Sequence, residues 1–378
     1  MGLTHKAWEA SIVARTWKKA PLLALSLGLA LTAAACSSGN SNSSSGNTGN
    51  ASGSATTPTR LVLNADGTPN LKGLNIPIAT AGSHPGDEDT IGYIMEQTLK
   101  KWGAGSNLNL GEAPEGADAV VAGKIDAVNS DMPSLLNLPL EIFMPNQERM
   151  DYEFVSTTAT TLAGLKGKTI DVGTSTSAQS MLMPALLQKA GLSASDVKLD
   201  LSGSSSGASL GSALSTGRAD AAWIHVSSVA NLQKSVKNLT VLARASDLLP
   251  GIDDSFWAAT PAWLKANPAT AEALCLAWIS AVKTFNGDQS TWVTDAMSYT
   301  LNADPQSSVQ ADHATFAGLN LWPLSASGYS SASVSANYSF YNGFKEFSGA
   351  GVRPISQVAT YAPWTAAWTV YNAHQSAY

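Results

Sequence analysis

The chain has 378 residues, a formal net charge of −6 and two cysteines, Cys36 and Cys275. The acidic balance excludes a nucleic-acid-binding protein, which needs a basic footprint. With Cys36 lying in an export segment, Cys275 has no partner, and a disulfide-stapled fold is excluded as well.

Lys18 and Lys19 precede an apolar run, residues 21–35 (PLLALSLGLALTAAA), that ends in small residues before Cys36. Positive end, apolar stretch and small-residue exit are the parts of a secretory signal peptide. A membrane span needs about 18–20 apolar residues; this run is shorter and is interrupted by Ser26 and Thr32. Ala33-Ala34-Ala35-Cys36 resembles a lipobox, in which the cysteine is acylated and becomes the new N-terminus; the plainer alternative is an Ala-x-Ala cleavage site with a passenger cysteine. Residues 37–59 (SSGNSNSSSGNTGNASGSATTPT) carry no charge and almost nothing to bury, so they read as a flexible leash spanning roughly 25–30 Å. Residues 1–35 are therefore expected to be a lipoprotein signal peptide and residues 36–59 a disordered tether. The body would sit outside the cytoplasm, anchored to the membrane through lipid on Cys36. Loss of residues 1–36 removes Lys6, Arg15, Lys18 and Lys19 against one acid, Glu9, which leaves the body more acidic still.

The body, from about residue 60, exceeds one usual domain and suggests two lobes. A strand over 74–79 (LNIPIA) opens it and runs into the polar loop TAGSHPGDEDT. A helix pattern follows over 91–102, with Ile91, Ile94, Met95 and Leu99 on one face, and 107–110 can form a second strand. Residues 117–130 (ADAVVAGKIDAVNS) then read as helix, glycine, basic residue and strand. Ninety-four residues later the pattern returns at 210–226 (LGSALSTGRADAAWIHV), with Gly123-Lys124-Ile125-Asp126-Ala127 matching Gly217-Arg218-Ala219-Asp220-Ala221. Glycine suits the left-handed position that ends a helix, and the basic residue complements the helix's negative end.

Between these units, 165–172 (LKGKTIDV) reads as a strand ending at Gly173-Thr174-Ser175-Thr176-Ser177. A helix over 178–190 follows, with Ser177 as N-cap, Gly191 as its stop and a kink expected at Pro184. With a strand over 197–201, the stretch 169–224 reads β-α-β-α-β, the pattern of a parallel sheet. Residues 253–260 (DDSFWAAT) suggest another strand. A long helix follows, with Asn267 as cap, Pro268 in its first turn, and Leu274, Cys275, Trp278, Ile279, Val282 and Phe285 on one face. Cys275 thus reads as core packing. The aromatics of the last third (Trp322, Tyr338, Phe340, Tyr341, Phe344, Phe347, Trp364, Trp368) read as packing as well.

At LKGKTIDVGTSTSAQSMLMPALLQKAGLSASDVKLDL, then ALSTGRADAAWI and FWAATPAWLKANPATAEAL, the chain resembles the periplasmic substrate-binding proteins of ABC importers, of the nitrate, aliphatic-sulfonate and taurine type. The resemblance is specific over roughly 162–286, weaker over 74–160, and fades in the last eighty residues. It implies a two-lobe α/β fold of the type II periplasmic binding proteins, each lobe a mixed, mainly parallel sheet flanked by helices, with two crossing strands. Lobe 1 would hold residues 60–157 plus 252–378, and lobe 2 residues 158–251. The partners implied are a small-molecule solute and, as separate chains, an ABC permease and its ATPase, the protein itself being a monomer. The resemblance places the ligand loop at 174–178 and an aromatic strand end at 223–225, with flexible crossings near 155–161 and 248–254.

In open α/β sheets, ligands bind beyond the carboxyl ends of strands. That rule selects Ser83 and His84, Ser130 and Asp131, Thr174, Ser175, Thr176 and Ser177, and Trp223 and His225 as candidate ligand contacts, with Asp254 and Trp257 on the expected crossing strand. The hydroxyl loop 174–177 sits at a helix N-terminus, which favours a negative group; its plainer alternative is a cap with solvated neighbours. Asp131, Asp253 and Asp254 would favour a cationic group if they faced the cleft.

For catalysis, Gly203-Ser204-Ser205-Ser206-Gly207 fits G-x-S-x-G between a strand and a helix, and His225, His313 and His374 follow it without a recognisable setting. In so serine-rich a chain the match is cheap, so a serine hydrolase is kept only as an alternative. No metal-binding histidine spacing, C-x-x-C or phosphate-loop pattern occurs, so neither cofactor nor metal is expected. A two-lobe protein serving signalling or surface interaction is the other alternative to a transport receptor.

Overall fold

A computed structural model describes residues 60–80, 89–110, 113–174, 177–201, 207–298, 305–344 and 353–378. The expected export segment, Cys36 and the expected tether lie outside the described residues. Among the described residues, ten strands form two five-stranded sheets. The first holds β1 (Asn75–Thr80), β2 (Gly105–Leu110), β3 (Ala127–Asp131) and β4 (Glu141–Gln147); the second holds β5 (Tyr152–Ser156), β6 (Thr169–Asp171), β7 (Lys198–Asp200), β8 (Ala221–His225) and β9 (Thr240–Arg244). β10 (Ser255–Ala259) returns to the first sheet.

Both sheets follow one plan. Their orders are β2-β1-β3-β10-β4 and β7-β6-β8-β5-β9: a parallel trio, then an antiparallel strand, then an edge strand. The antiparallel members are β10, which pairs with β3 and β4, and β5, which pairs with β8 and β9. The five-residue match of the sequence occupies equivalent places in the two plans. Gly123 and Gly217 both end helices at positive φ (69° and 71°). Asp126 N–H donates to Pro77 O (2.9 Å) as Asp220 N–H donates to Thr169 O (2.8 Å), and Ala127 pairs with Ile78 as Ala221 pairs with Ile170. The basic residues are not equivalent, however. Arg218 bridges the carboxylates of Asp171 and Asp200 instead of facing the end of its helix.

Helices α1 (Asp89–Lys101), α2 (Ala113–Val121) and α3 (Met132–Leu136) flank the first sheet; α4 (Ala178–Ala190), α5 (Gly207–Ser215) and α6 (Val226–Ser235) flank the second. α4 starts where Ser177 Oγ accepts from Ser180 N–H (3.3 Å) and stops at left-handed Gly191, as expected; it continues through Pro184. The C-terminal third adds α7 (Pro268–Gly287), α8 (Gln289–Ser298), α9 (Gln306–Leu319), α10 (Ser331–Asn342) and α11 (Ala362–Ala373).

α7 is the spine of this part. Leu274, Cys275, Trp278, Ile279 and Val282 are fully buried against α1 and α11, each large apolar side chain contributing about 1.5–3 kcal/mol. Trp278 packs edge-on to Trp364 at 5.4 Å, and Phe285 to Trp292 and Trp322 at 5.1 and 4.9 Å. The expected packing role of Cys275 and of Trp322, Tyr341 and Trp364 is what the structure shows. Asn267 differs from expectation. Its side chain makes no capping bond to α7 and donates instead to Trp263 O (2.9 Å), closing the short helix Pro261–Ala266 before it.

The expected strand over 165–172 is reduced to Thr169–Asp171. A 3-10 turn capped by Thr161 takes residues 162–165, and Lys166-Gly167 turns the chain before the strand begins.

Candidate functional site

The connections between the sheets fix where a ligand can sit. β4 ends at Gln147, and β5 begins at Tyr152, opposite His225 at the carboxyl end of β8. On the return, β9 ends at Arg244, and β10 begins at Ser255, opposite Asp131 at the carboxyl end of β3. Both crossings therefore join carboxyl-end tips to carboxyl-end tips. Only Glu148, Arg149, Met150 and Asp151 separate Gln147 from Tyr152, a reach of at most about 18 Å. The two sets of tips must face one another across a narrow space. The first crossing thus precedes β5 and does not fall at 155–161. The halves also touch where α6 meets α9.

On the first wall, Thr80 ends β1 and accepts from Asn129 Nδ2 (3.1 Å). Asp131 is half-buried and caps α3, accepting from Ser134 N–H at 2.9 Å. Burial raises its carboxyl above the usual range, against the lowering effect of the Ser134 bonds. Asp254 is half-buried with its N–H on Gln147 O (2.9 Å). Asp253 is turned inward: it is 4% exposed and held by Asn337, which donates to Oδ2 (3.0 Å) and accepts from its N–H (2.8 Å). Trp257 lies two residues below the tip, fully buried, its indole N–H donating to Asn146 Oδ1 (2.9 Å). That places it in the packing between the sheet and α7, whose Trp278 donates to Asn146 O (3.2 Å).

On the second wall, Thr174 is exposed and Ser177 half-buried at the amino end of α4. Ser177 Oγ donates to Val172 O (2.7 Å). Asp171, at the end of β6, accepts from Gly173 N–H (3.0 Å) and pairs with Arg218, which pins the base of this loop. Trp223 is fully buried, edge-on to Phe154 at 5.0 Å. His225 stands at the tip of β8, with Nδ1 3.1 Å from the Asp151 carboxylate. Ser83, His84, Ser175 and Thr176 lie outside the described residues, as do residues 203–206 of the G-x-S-x-G motif.

A set of buried polar atoms near these tips lacks hydrogen-bond partners; sequence reasoning selected Ser130 and Trp223 among the residues that carry them and missed Thr90, Asn129 and Gln147. On the first wall they are Thr90 Oγ1 in the first turn of α1, Asn129 Oδ1, Ser130 Oγ and Gln147 Oε1; on the second they are Trp223 Nε1 and Ser227 Oγ. A buried polar atom without a partner costs about 1–3 kcal/mol, so each can take up a bond from water or a guest. Unpartnered polar atoms also occur in the C-terminal third, at the indoles of Trp292, Trp322 and Trp368, at Asn342 Oδ1 and at Arg353 Nε. α1 and α4, which follow the first parallel strands of their sheets, β1 and β6, both present their positive amino ends to the shared space. Hydroxyl, amide and indole groups between two helix amino ends suit an anionic or strongly polar guest. Among the described residues no group of three or more metal-ligating side chains occurs, and no helix is long and apolar enough to cross a membrane.

Residues 116–287 match the model of the family described as NMT1/THI5 like. Among solved structures, the periplasmic aliphatic sulphonate binding protein SsuA of Escherichia coli superposes with a TM-score of 0.58 at 17% identity, over 75% of this chain and 91% of that one. The alkanesulfonate-binding protein SsuA of Xanthomonas axonopodis, bound to MOPS, gives 0.55 at 17% identity, over 76% and 99%. The periplasmic nitrate-binding protein NrtA of Synechocystis gives 0.55 at 11% identity, over 80% and 90%. No curated protein matches the chain in sequence. The architecture is that of the type II periplasmic binding proteins, as the sequence led us to expect.

Proposed function

We propose that this protein is the extracytoplasmic solute-binding component of an ABC importer. It would close its two lobes on a small anionic or strongly polar organic solute, sulfonate-, nitrate- or taurine-like, and deliver it to a permease powered by a separate ATPase. The reading rests on one observation: two sheets of identical plan have their carboxyl-end tips tied face to face by two short crossings. The unpartnered polar atoms on both walls supply hydrogen bonds that a guest can take up. Closure by hinge bending at two crossings is a standard motion of such folds. In this reading the protein binds without transforming its guest, works as a monomer, and is held at the outer face of the membrane by lipid on Cys36. Its lobes are those carrying the two sheets, with Thr174, Ser175, Thr176 and Ser177 as the anion-holding loop.

Thermal-shift screening of the purified protein against nitrate, alkanesulfonates, taurine, bicarbonate, pyrimidines and aromatic acids tests it. A true solute at one hundred times its Kd adds about 2.7 kcal/mol of stability, so the melting point rises with concentration. Small-angle scattering should report compaction with the same solute, and the Thr174→Leu/Ser175→Leu variant should lose the shift while remaining folded. A panel without any concentration-dependent shift would overturn the receptor reading.

A further inference from the structure

The hydrogen bonds of the two crossings show to which half each residue belongs. In the first, Glu148 N–H donates to Leu321 O (3.1 Å), its carboxyl packs against Gly328, and Arg149 O accepts from Gln147 Nε2 (3.0 Å). Both residues are thereby held by the half that carries the first sheet. Asp151 is held by the other half: its carbonyl accepts from Val226 N–H (2.8 Å), and its carboxylate lies 3.1 Å from His225 Nδ1. Met150 stands between them and makes no hydrogen bond among the described residues.

The second crossing divides in the same way. Residues 249–252 form a turn closed by Ile252 N–H on Leu249 O (3.2 Å), with Gly251 at a φ of 83°. Proline second and left-handed glycine third is the residue pattern of a type II turn. Leu249 N–H on Ala245 O (2.9 Å) ties this turn to the end of the second sheet. The next residue, Asp253, is held by the first half. Asn337 donates to its Oδ2 (3.0 Å) and accepts from its N–H (2.8 Å), and Tyr341 Oη donates to its carbonyl (3.2 Å). Asn337 is itself 0% exposed, on α10. Asp254 N–H on Gln147 O (2.9 Å) then joins crossing to crossing. The change from one half to the other falls on Ile252. Torsions at Met150 and Ile252 can turn without breaking the bonds that hold their neighbours, so they yield first.

We propose that the lobes close about two single-residue joints, Met150 and Ile252, placed there by the C-terminal third, which clamps Glu148 and Asp253 to the first lobe. Leu321, Gly328, Asn337 and Tyr341 make the clamp. Asn337 is its positioning residue, acting on closure through the second crossing and not by contact with the solute. The inference rests on the receptor reading and adds its moving part: a region that otherwise serves packing sets the axis of closure.

Both arms of the test use the full chain without solute. Residue-resolved hydrogen–deuterium exchange should find the amides of Glu148, Asp253 and Asp254 about a hundredfold or more slower than that of Gly251, which donates to no acceptor among the described residues. Asn337→Leu and Tyr341→Phe should each speed Asp253 and Asp254 by about tenfold or more, and Glu148 with them, because the crossings are joined. Tyr341→Phe keeps the packed ring and carries the test alone if Asn337→Leu does not fold. Interlobe distances come from double electron–electron resonance between labels at Lys124→Cys and Lys237→Cys, both exposed, with Cys36→Ser; Cys275 is fully buried and takes no label. Either clamp variant should widen the distance distribution by about half or more. Equal exchange at Glu148, Asp253 and Gly251, an effect confined to Asp253, or an unchanged distance distribution overturns the inference. Failure of every solute in the screening panel overturns the receptor reading and leaves these outcomes readable.

Discussion

Glu148→Gln is the most informative single substitution for the crossings. Glu148 opens the first crossing, and its Oε1 is buried without a hydrogen-bond partner. Its carboxyl packs against Gly328, where a Cβ would stand 2.2 Å from both oxygens. Burial pushes the group up to about 8 from an ordinary 4.5, with Arg149 pulling the other way. Asp253, in the second crossing, is raised by its own burial and then by the charge of Glu148. The folded protein therefore holds a proton that the unfolded chain releases near pH 4.5. Stability contributed by the neutral acid is fully present below about pH 4.5 and is lost as pH rises towards 8.

At about 1.36 kcal/mol per pH unit, the span from 4.5 to about 8 amounts to at most roughly 5 kcal/mol; allowing for the share carried with Asp253, roughly 3–5 kcal/mol is expected. Glutamine keeps the shape and cannot ionise. Urea unfolding of the two proteins at half-unit intervals from pH 4.5 to 9 should give similar stabilities at the acid end. The curves should then separate, the variant gaining roughly 3–5 kcal/mol over wild type by pH 8.5. Parallel curves would refute the buried-acid assignment, because a purely steric or hydrogen-bonding effect of the amide has no reason to grow with pH.

Two further substitutions separate framework from site. Arg218→Ala strands the fully buried Asp171 carboxylate and frees the base of the hydroxyl loop; about 3 kcal/mol of stability should be lost, measured by urea unfolding, together with affinity for the solute found by screening. Trp257→Phe leaves Asn146 Oδ1 without its indole donor and should cost about 1–2 kcal/mol, while calorimetry finds solute affinity unchanged; a tenfold loss of affinity at constant stability would return Trp257 to the binding surface.

What the sequence disclosed, and what it hid, follows from which interactions are local. The helix over Ala178–Ala190 was legible because cap, stop and apolar positions lie within fifteen residues. The glycine-ended helices before β3 and β8 were legible because the left-handed residue is local too. β4, β5 and β9 were not. β4 (EIFMPNQ) is buried on nearly every residue, so it shows no alternation, and its polar Asn146 and Gln147 look like loop. Asn146 is there to serve Trp257, Trp278 and Ser255, partners more than one hundred residues away. Pro145 is tolerated because β4 is an edge strand. The hydroxyl loop at the start of α4 announced itself by composition. Asp151 did not, being 74 residues from His225 and meeting it only once β5 pairs with β8.

The repeat of plan with divergence at the tips has a physical logic. Strand order, glycine stops and the backbone bonds into the first strand of each sheet recur because each half must solve the same packing problem, and small departures there cost core contacts. The tips carry no such burden, since their side chains face the shared space and not the cores. Equivalent positions have therefore drifted to unlike chemistry: Asp131, a carboxylate engaged as a helix cap, stands where the other half has His225, an imidazole held from behind by Asp151. Arg218 bridges two carboxylates, whereas the aligned Lys124 makes no ion pair among the described residues. One wall thus bears acid and amide groups and the other bears hydroxyls, an indole N–H and an imidazole. A guest that is polar at both ends but acidic at only one meets complementary groups on both walls in a single orientation; a guest acidic at both ends must leave one end against Asp131 and Asp254. The asymmetry of the walls, laid on a symmetric frame, is what gives such a cleft a direction as well as a charge.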